Sequence, residues 1–196
     1  MRAICLRTRL TRDAPWVAGV CLFVLLASAS AASAQRVNAQ PASGVVTCGD
    51  SAYQLFRVTT DAGKSGANWK EAANEAPRIR HAGRNGRLAI IPDMQVHACV
   101  SEKLMPKARE EAWIGLRYWC KFRTLQWTTG DIRPHDKQAP WAVQWSRYGT
   151  CNEQFAGVYY TTSTKRWQAV EQGKNFRYMI VEYPPKTDDT PEQVQK

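Results

Sequence analysis

The sequence predicts an α+β domain: two helices, then antiparallel strands arranged around a long loop. Three observations carry this. Helical periodicity appears in only two windows, each opened by its own cap. The segments before and after them are strand-like and rich in aromatic residues. The stretch from about 130 to 155 holds Pro, Gly, Trp141 and Trp145 but shows no period, and a connection that long is usually functional.

The elements follow in order. Tyr53 to Val58 reads as a strand. Asn68-Trp69-Lys70-Glu71 forms a capping box, with Asn at the cap and Glu three residues on. Trp69, Ala72, Ala73 and Ala76 then share one helix face, and Pro77 stops the helix. A basic loop follows, carrying Arg78, Arg80, His81, Arg84 and Arg87, and leads into an apolar strand, Leu88 to Ile91. Asp93 caps a second helix with Val96, Cys99, Val100 and Leu104 inward; Pro106 ends it. Strands are expected at Ala112–Leu116 and Thr124–Thr128. A hairpin is expected from Gly157–Thr161 and Lys165–Val170, and a buried closing strand from Phe176 to Tyr183.

The chain ends read differently. Arg2, Arg7, Arg9 and Arg12 precede the apolar run Val17–Leu26, and Ala32-Ser33-Ala34 offers an Ala-x-Ala exit. A basic start, a short apolar core and small residues at the exit are the parts of a secretory signal peptide, so residues 1–34 are expected to be cleaved. The run is too short to span a bilayer, which takes about 20 residues. No second segment is long or apolar enough to do so. Residues 35–47 are expected to be a flexible N-terminal segment, residues 48–183 the folded domain and residues 184–196 a disordered tail. The protein is therefore expected to be secreted or periplasmic.

The 27 Lys and Arg against 17 Asp and Glu give +10; the leader removes four Arg and one Asp and leaves about +7. That balance favours anionic partners such as acidic glycans or lipopolysaccharide phosphates. Export argues against nucleic acid. Of the six cysteines, Cys5 and Cys21 leave with the leader. Cys48, Cys99, Cys120 and Cys151 remain. An even count in an exported chain points to disulfides, in any of three pairings. Without a C-x-x-C spacing, a zinc site is the poorer reading.

Six segments, in order, resemble the C-type lectin-like domain. They are Trp69-x-x-Ala72, Gly86-Arg87-Leu88-Ala89-Ile90, Trp113-Ile114-Gly115-Leu116, Leu125-Gln126-Trp127-Thr128-Thr129-Gly130-Asp131, Trp167, and Ile180-Val181-Glu182. Together they span most of residues 48–183. The resemblance implies the lectin-like fold and places Trp113, Trp127 and Trp167 in the core. It also marks departures. The cysteines that usually tie the first helix to the last strand are replaced by Ala76 and Val181, where an apolar contact is expected instead. Cys151 matches one end of the family's loop disulfide, but its usual partner, near Glu171 or Gln172, is absent. Within this framework Cys48 is expected to meet Cys99, and Cys120 to meet Cys151.

Sugar-binding members of the family hold calcium through a Glu-Pro-Asn or Gln-Pro-Asp triplet and an Asn-Asp pair after the late Trp. Calcium takes six to eight oxygen ligands, several of them carboxylates. Here the stretch after Trp145 reads Ser146 to Glu153 without the triplet, and Gln168 and Ala169 follow Trp167. No calcium site of the usual kind, and no other cofactor, is expected. The candidate ligand-binding residues are Trp141, Trp145, Arg147, Tyr148, Asn152 and Glu153; Trp, Tyr and Arg dominate binding hot spots. The basic loop offers an anion grip as an alternative to a plain solvated connection.

Catalytic signatures are missing. The three histidines, His81, His97 and His135, fall in no H-E-x-x-H or H-x-E pattern, and there is no Gly-x-Ser-x-Gly elbow or phosphate-cradling Gly loop. The expectation is a binding protein rather than an enzyme: a calcium-independent C-type lectin-like protein recognising a glycan or anionic envelope component. The alternative is a protein-binding or adhesin module without a sugar site.

Overall fold

The structure, a computed structural model, describes residues 37–60, 63, 65–133, 139–142 and 153–185. The expected signal peptide and almost all of the expected C-terminal tail lie outside them. The strands are β1 (Val37–Pro41), β2 (Val46–Cys48), β3 (Ser51–Thr60), β4 (Arg80–His81), β5 (Arg84–Asn85), β6 (Arg87–Leu88), β7 (Ala112–Trp119), β8 (Thr124–Trp127), β9 (Ile132–Arg133), β10 (Phe155–Tyr160), β11 (Trp167–Glu171) and β12 (Tyr178–Tyr183). The helices are α1 (Trp69–Glu75) and α2 (Met94–Lys103).

Both helices start where the sequence places their caps. Asn68 accepts from the Glu71 backbone N–H while the Glu71 carboxylate accepts from the Asn68 N–H, a complete capping box. Asp93 accepts from the Val96 N–H. Pro77 and Pro106 do not end the chain's turning outright: each sits at the start of a single 3-10 turn, Ala76–Arg78 and Met105–Lys107. There the missing proline N–H costs nothing.

The main sheet runs β1-β3-β12-β7-β10-β11, with β2, β6, β8 and β9 attached beside it. Every pairing is antiparallel except β12 with β7, which is parallel. The expected antiparallel sheet thus includes one parallel pair. Parallel neighbours need a long crossover, and here the crossover is everything from β8 to β11.

Period-2 alternation sorts neighbouring residues onto two faces. Tyr53, Leu55, Ile114, Leu116, Val158, Tyr160, Tyr178 and Ile180 pack on one face with Val96 and Val100 of α2 and with Leu104, its C-cap. Val58, Trp113, Phe155, Met179 and Val181 pack on the other with Trp69 and Ala72 of α1 and with Ala76. The sheet is thus the middle layer, with one helix against each side. Ala76 and Val181, which stand where the resemblance would put a disulfide, are both fully buried in the same α1-side cluster. Trp113, Trp127 and Trp167 are buried as expected.

Three expectations change. The segment 35–47, read as flexible, contains β1 and most of β2. β1 pairs with β3 from Val37↔Thr60 to Pro41↔Phe56, and Val37 is buried. Its composition lacks an apolar period because an edge strand needs only backbone partners on one side; Pro41, without a donor, is tolerated there. The apolar strand at 88–91 shortens to β6, although Ala89 still donates to the Ile180 carbonyl and accepts from Gly115. The basic loop is an ordered hairpin, with His81↔Arg84 closing it over Ala82 and Gly83, both at positive φ.

Cys48 and Cys99 form a disulfide, joining the start of β3's hairpin to α2. It closes a loop of 51 residues and on chain entropy alone contributes about 4 kcal/mol. Cys120 is also disulfide-bonded; its expected partner, Cys151, lies outside the described residues.

Candidate functional site

α1 is only seven residues long, about 10 Å of helix. It lies over strands such as β7, eight residues long and about 26 Å. The helix therefore covers only part of its face of the sheet, and register defines what is left. Opposed residues in antiparallel pairs share a face. One row runs Gly157, Arg117, Gln126, Ile132 across β10, β7, β8 and β9. The next runs Phe155, Trp119, Thr124.

Trp69 anchors the covered part. Its indole N–H donates to the Ile114 carbonyl at 2.8 Å, and the ring packs so closely on Gly157 that a Cβ there would lie 2.8 Å from it. Phe155, nearly fully buried, meets the edges of both Trp69 and Trp119. Arg117 emerges between these rings. Its guanidinium carbon is 4.4 Å from the Trp119 ring centre, 5.6 Å from Trp69 and 5.9 Å from Phe155, distances at which a cation gains from each ring face. Gln126 fixes the arrangement. Its Oε1 accepts from Arg117 Nη2 at 3.0 Å and from Trp119 Nε1 at 2.7 Å, while its Nε2 donates to the Gly130 carbonyl. Burial lowers the Arg117 pKa from its ordinary value.

Two hollows flank Arg117. One, of about 430 Å³, is lined by Trp69, Lys70, Asn74, Arg117, Thr128 and Thr129 among others. The other, of about 410 Å³, is lined by Trp119, Phe122, Thr124, Gln126 and Ile132. Phe122 is 68% and Ile132 69% exposed.

Of the residues singled out from the sequence, Trp141 and Glu153 are described, and neither lines these hollows. Trp141 is half-buried and stands edge-on to Trp167, ring centres 5.7 Å apart, with a backbone bridge between the two. Glu153 accepts from the Gln172 backbone N–H at 2.6 Å, which ties the loop's end to β11's exit where the resemblance would have a cysteine. Trp145, Arg147, Tyr148 and Asn152 lie outside the described residues. Arg117, Trp119, Phe122 and Gln126 were not singled out. The signal that marks them is the alternation of Trp113-x-Gly115-x-Arg117-x-Trp119, which continues past the four-residue signature.

In the basic loop Arg80 is exposed, and Arg78, His81, Arg84 and Arg87 each contact the protein. Arg78 pairs with Glu75 at 3.1 Å, Arg84 donates to the Tyr183 and Pro184 carbonyls, and His81 packs on Tyr183. Arg87 donates through Nε and Nη2 to Glu182, both at 3.0 Å. Glu182 is 3% exposed and also accepts from Ser51 Oγ and the Ile90 N–H. Glu182 is the polar key of the sheet's end and was read from the sequence only as part of a motif.

Among the described residues no group of three or more His, Cys, Asp or Glu is placed to hold a metal. At the positions the resemblance gives to calcium ligands after the late Trp, Gln168 Oε1 accepts from the Tyr159 hydroxyl at 2.6 Å and Ala169 is buried in the core. Ala169 offers no side-chain oxygen, and Gln168 a single amide oxygen that already accepts a hydrogen bond, where calcium takes six to eight oxygen ligands. No helix of the described residues is long and apolar enough to cross a membrane.

No protein-family model matches the chain, and no curated protein matches it. Solved structures do. The chain is similar to CEL-IV (TM-score 0.53, 16% identity, covering 72% of this chain and 92% of that one). It is similar to the C-type lectin CEL-I from Cucumaria echinata (TM-score 0.53, 14% identity, 70% and 93%). It is also similar to the carbohydrate-recognition domain of the mouse scavenger receptor C-type lectin (TM-score 0.51, 16% identity, 72% and 96%). Element order, two helices on opposite faces of the sheet and these likenesses agree: the fold is that of the C-type lectin-like domain.

Proposed function

We propose that this chain is an exported, calcium-independent lectin-like binding protein, secreted or periplasmic, that recognises a glycan or an anionic envelope component through residues 131–155 and performs no catalysis. The observation that carries the reading is the fold shared with lectins, among them SPL-1, solved as a complex with GlcNAc (TM-score 0.53, 13% identity, 71% of this chain and 92% of that one). The calcium independence rests on Gln168 and Ala169 standing where carboxylate ligands would be needed. A glycan array run with and without chelator tests it. Specific hits unchanged by chelation, and weakened in Trp145→Ala and Tyr148→Ala, support the reading; hits lost on chelation refute its calcium part. N-terminal sequencing of the exported protein is expected to begin at Gln35.

A second reading, a protein-binding module, is favoured by the exposed Phe122 and Ile132, since apolar side chains standing free beside an Arg and a Trp suit a protein hot spot. Silence on the array together with specific capture of a defined host or envelope protein would select it.

A further inference from the structure

We infer that the cleft between α1 and β7 is a second binding site, outside the 131–155 loop, that takes the acidic group of a sulfate- or carboxylate-bearing saccharide between Arg117 and Lys70. The inference goes beyond the loop reading and does not depend on it.

The first ground is charge. Lys70 Nζ lies 5.6 Å from the Phe155 ring centre and the Arg117 guanidinium 5.9 Å from the same centre. Two cations thus share one ring, and among the described residues neither forms an ion pair. The carboxylates nearest in the chain are spoken for: Glu71 caps α1 and Glu75 holds Arg78. Like charges gathered on a partly desolvated surface repel, and an anion between them recovers that energy. Arg117 Nε and Thr128 Oγ1 are moreover buried without a protein partner. Such orphaned polar groups are uncommon in folded proteins and call for an explanation.

The second ground is shape. The cleft adds the Asn74 amide to the two cations and is bordered by Thr128 and by Thr129, whose hydroxyl donates to Asp131, and arginine's planar fork suits an oxyanion. Directly beside it, across Arg117, lies the hollow of Trp119, Phe122, Thr124 and Gln126. An apolar, aromatic wall with a few fixed polar groups fits a small ring ligand. Cation cleft and aromatic hollow side by side match an acidic group carried on a sugar ring better than a bare ion. The other basic cleft, formed by Arg57, Lys107, Arg109 and Arg177, lacks this pairing. Arg177 there is held by Glu110 at 2.7 Å, and its cations are exposed to screening.

The test is calorimetric titration of the purified protein with a sulfated heparin disaccharide, an unsulfated uronate-containing disaccharide, neutral chitobiose and inorganic sulfate. One or both acidic disaccharides are expected to bind at least about tenfold more tightly than chitobiose or inorganic sulfate. Lys70→Glu, an exposed change, and Arg117→Gln are each expected to weaken that binding about tenfold or more, with Arg117→Lys in between. Arg57→Glu is expected to change it less than about threefold. Equal affinity for chitobiose overturns the proposal, as does equal affinity for inorganic sulfate or no binding of either acidic disaccharide. A loss in Arg57→Glu with none in Lys70→Glu moves the site to the other basic cleft and overturns it too. Loss of array hits in the loop variants alone speaks only to the loop reading.

Discussion

Two half-buried arginines show how differently one residue type is used in this fold. At the end of β12, Arg87 meets a carboxylate: Glu182 takes two of its N–H groups and two further donors, from Ser51 and Ile90. On the open part of the α1 face, Arg117 meets no acid among the described residues; an amide oxygen and three aromatic rings hold it. The first arrangement uses up its charges on itself and closes the sheet. The second leaves a positive charge fixed in place and unspent. Sequence does not separate them, since both are arginines next to a strand; the partner that register delivers does. Holding a cation with rings and an amide keeps it available to a ligand, whereas a buried carboxylate ties it to structure.

The comparison can be broken at the closed end first. Glu182→Ala strands Arg87 and leaves Ser51 and the Ile90 N–H without their acceptor, and is expected to cost about 3–5 kcal/mol in denaturant unfolding. Replacing both partners, as in Arg87→Met with Glu182→Leu, is expected to cost less than Glu182→Ala alone. Gly157→Ala comes next: the new Cβ would sit 2.8 Å from the Trp69 ring, so Trp69 shifts and about 1–3 kcal/mol is lost. Arg117→Gln is expected to cost only about 1 kcal/mol of stability, the worth of partly exposed cation–π contact and stem packing. If it destabilised as much as Glu182→Ala, the contrast between a spent and an unspent cation would be wrong.

The smallest effect lies on the opposite face. His97, buried on α2, bonds the Tyr160 hydroxyl through Nδ1 at 2.8 Å and stacks on that ring. Burial, and then the charge of Arg166, hold its pKa below the ordinary value. The unfolded chain then binds the proton more readily than the folded one, so stability falls as pH drops below about 6.5 and levels off below the folded pKa. Unfolding measured from pH 7.5 to 5 is expected to show this slope, and His97→Gln to flatten it. Non-reducing peptide mapping sharpens the covalent picture separately: Cys120 is expected joined to Cys151, and a Cys120 peptide found with another cysteine would refute that pairing.

Much of the fold was legible because its signals are short. The capping box at Asn68 and Glu71, the cap at Asp93 and the alternation in β12 each need only a few neighbouring residues, and the structure follows them. The Cys48–Cys99 disulfide was legible only through the family resemblance. β1 was missed because an edge strand with one buried side chain leaves almost no periodic trace. The site was legible only in part. Trp141 was picked out by its aromatic company, yet it is half-buried against Trp167. Arg117 and Trp119 were passed over although they continue the same strand alternation.

The sequence by itself determined the class, the order of elements and the helix starts, and, through the family resemblance, which tryptophans enter the core. The first three follow from local periodicity, caps and side-chain polarity, all encoded within one or two turns of chain. Only the tertiary structure decided which charges are neutralised. Whether a cation meets Glu182 or a cage of rings depends on strands far apart in the chain coming into one register: Phe155 and Gly157 beside Trp119 and Arg117, and Arg87 opposite Glu182. No local pattern records that pairing, because its energy is gained only when the whole sheet assembles.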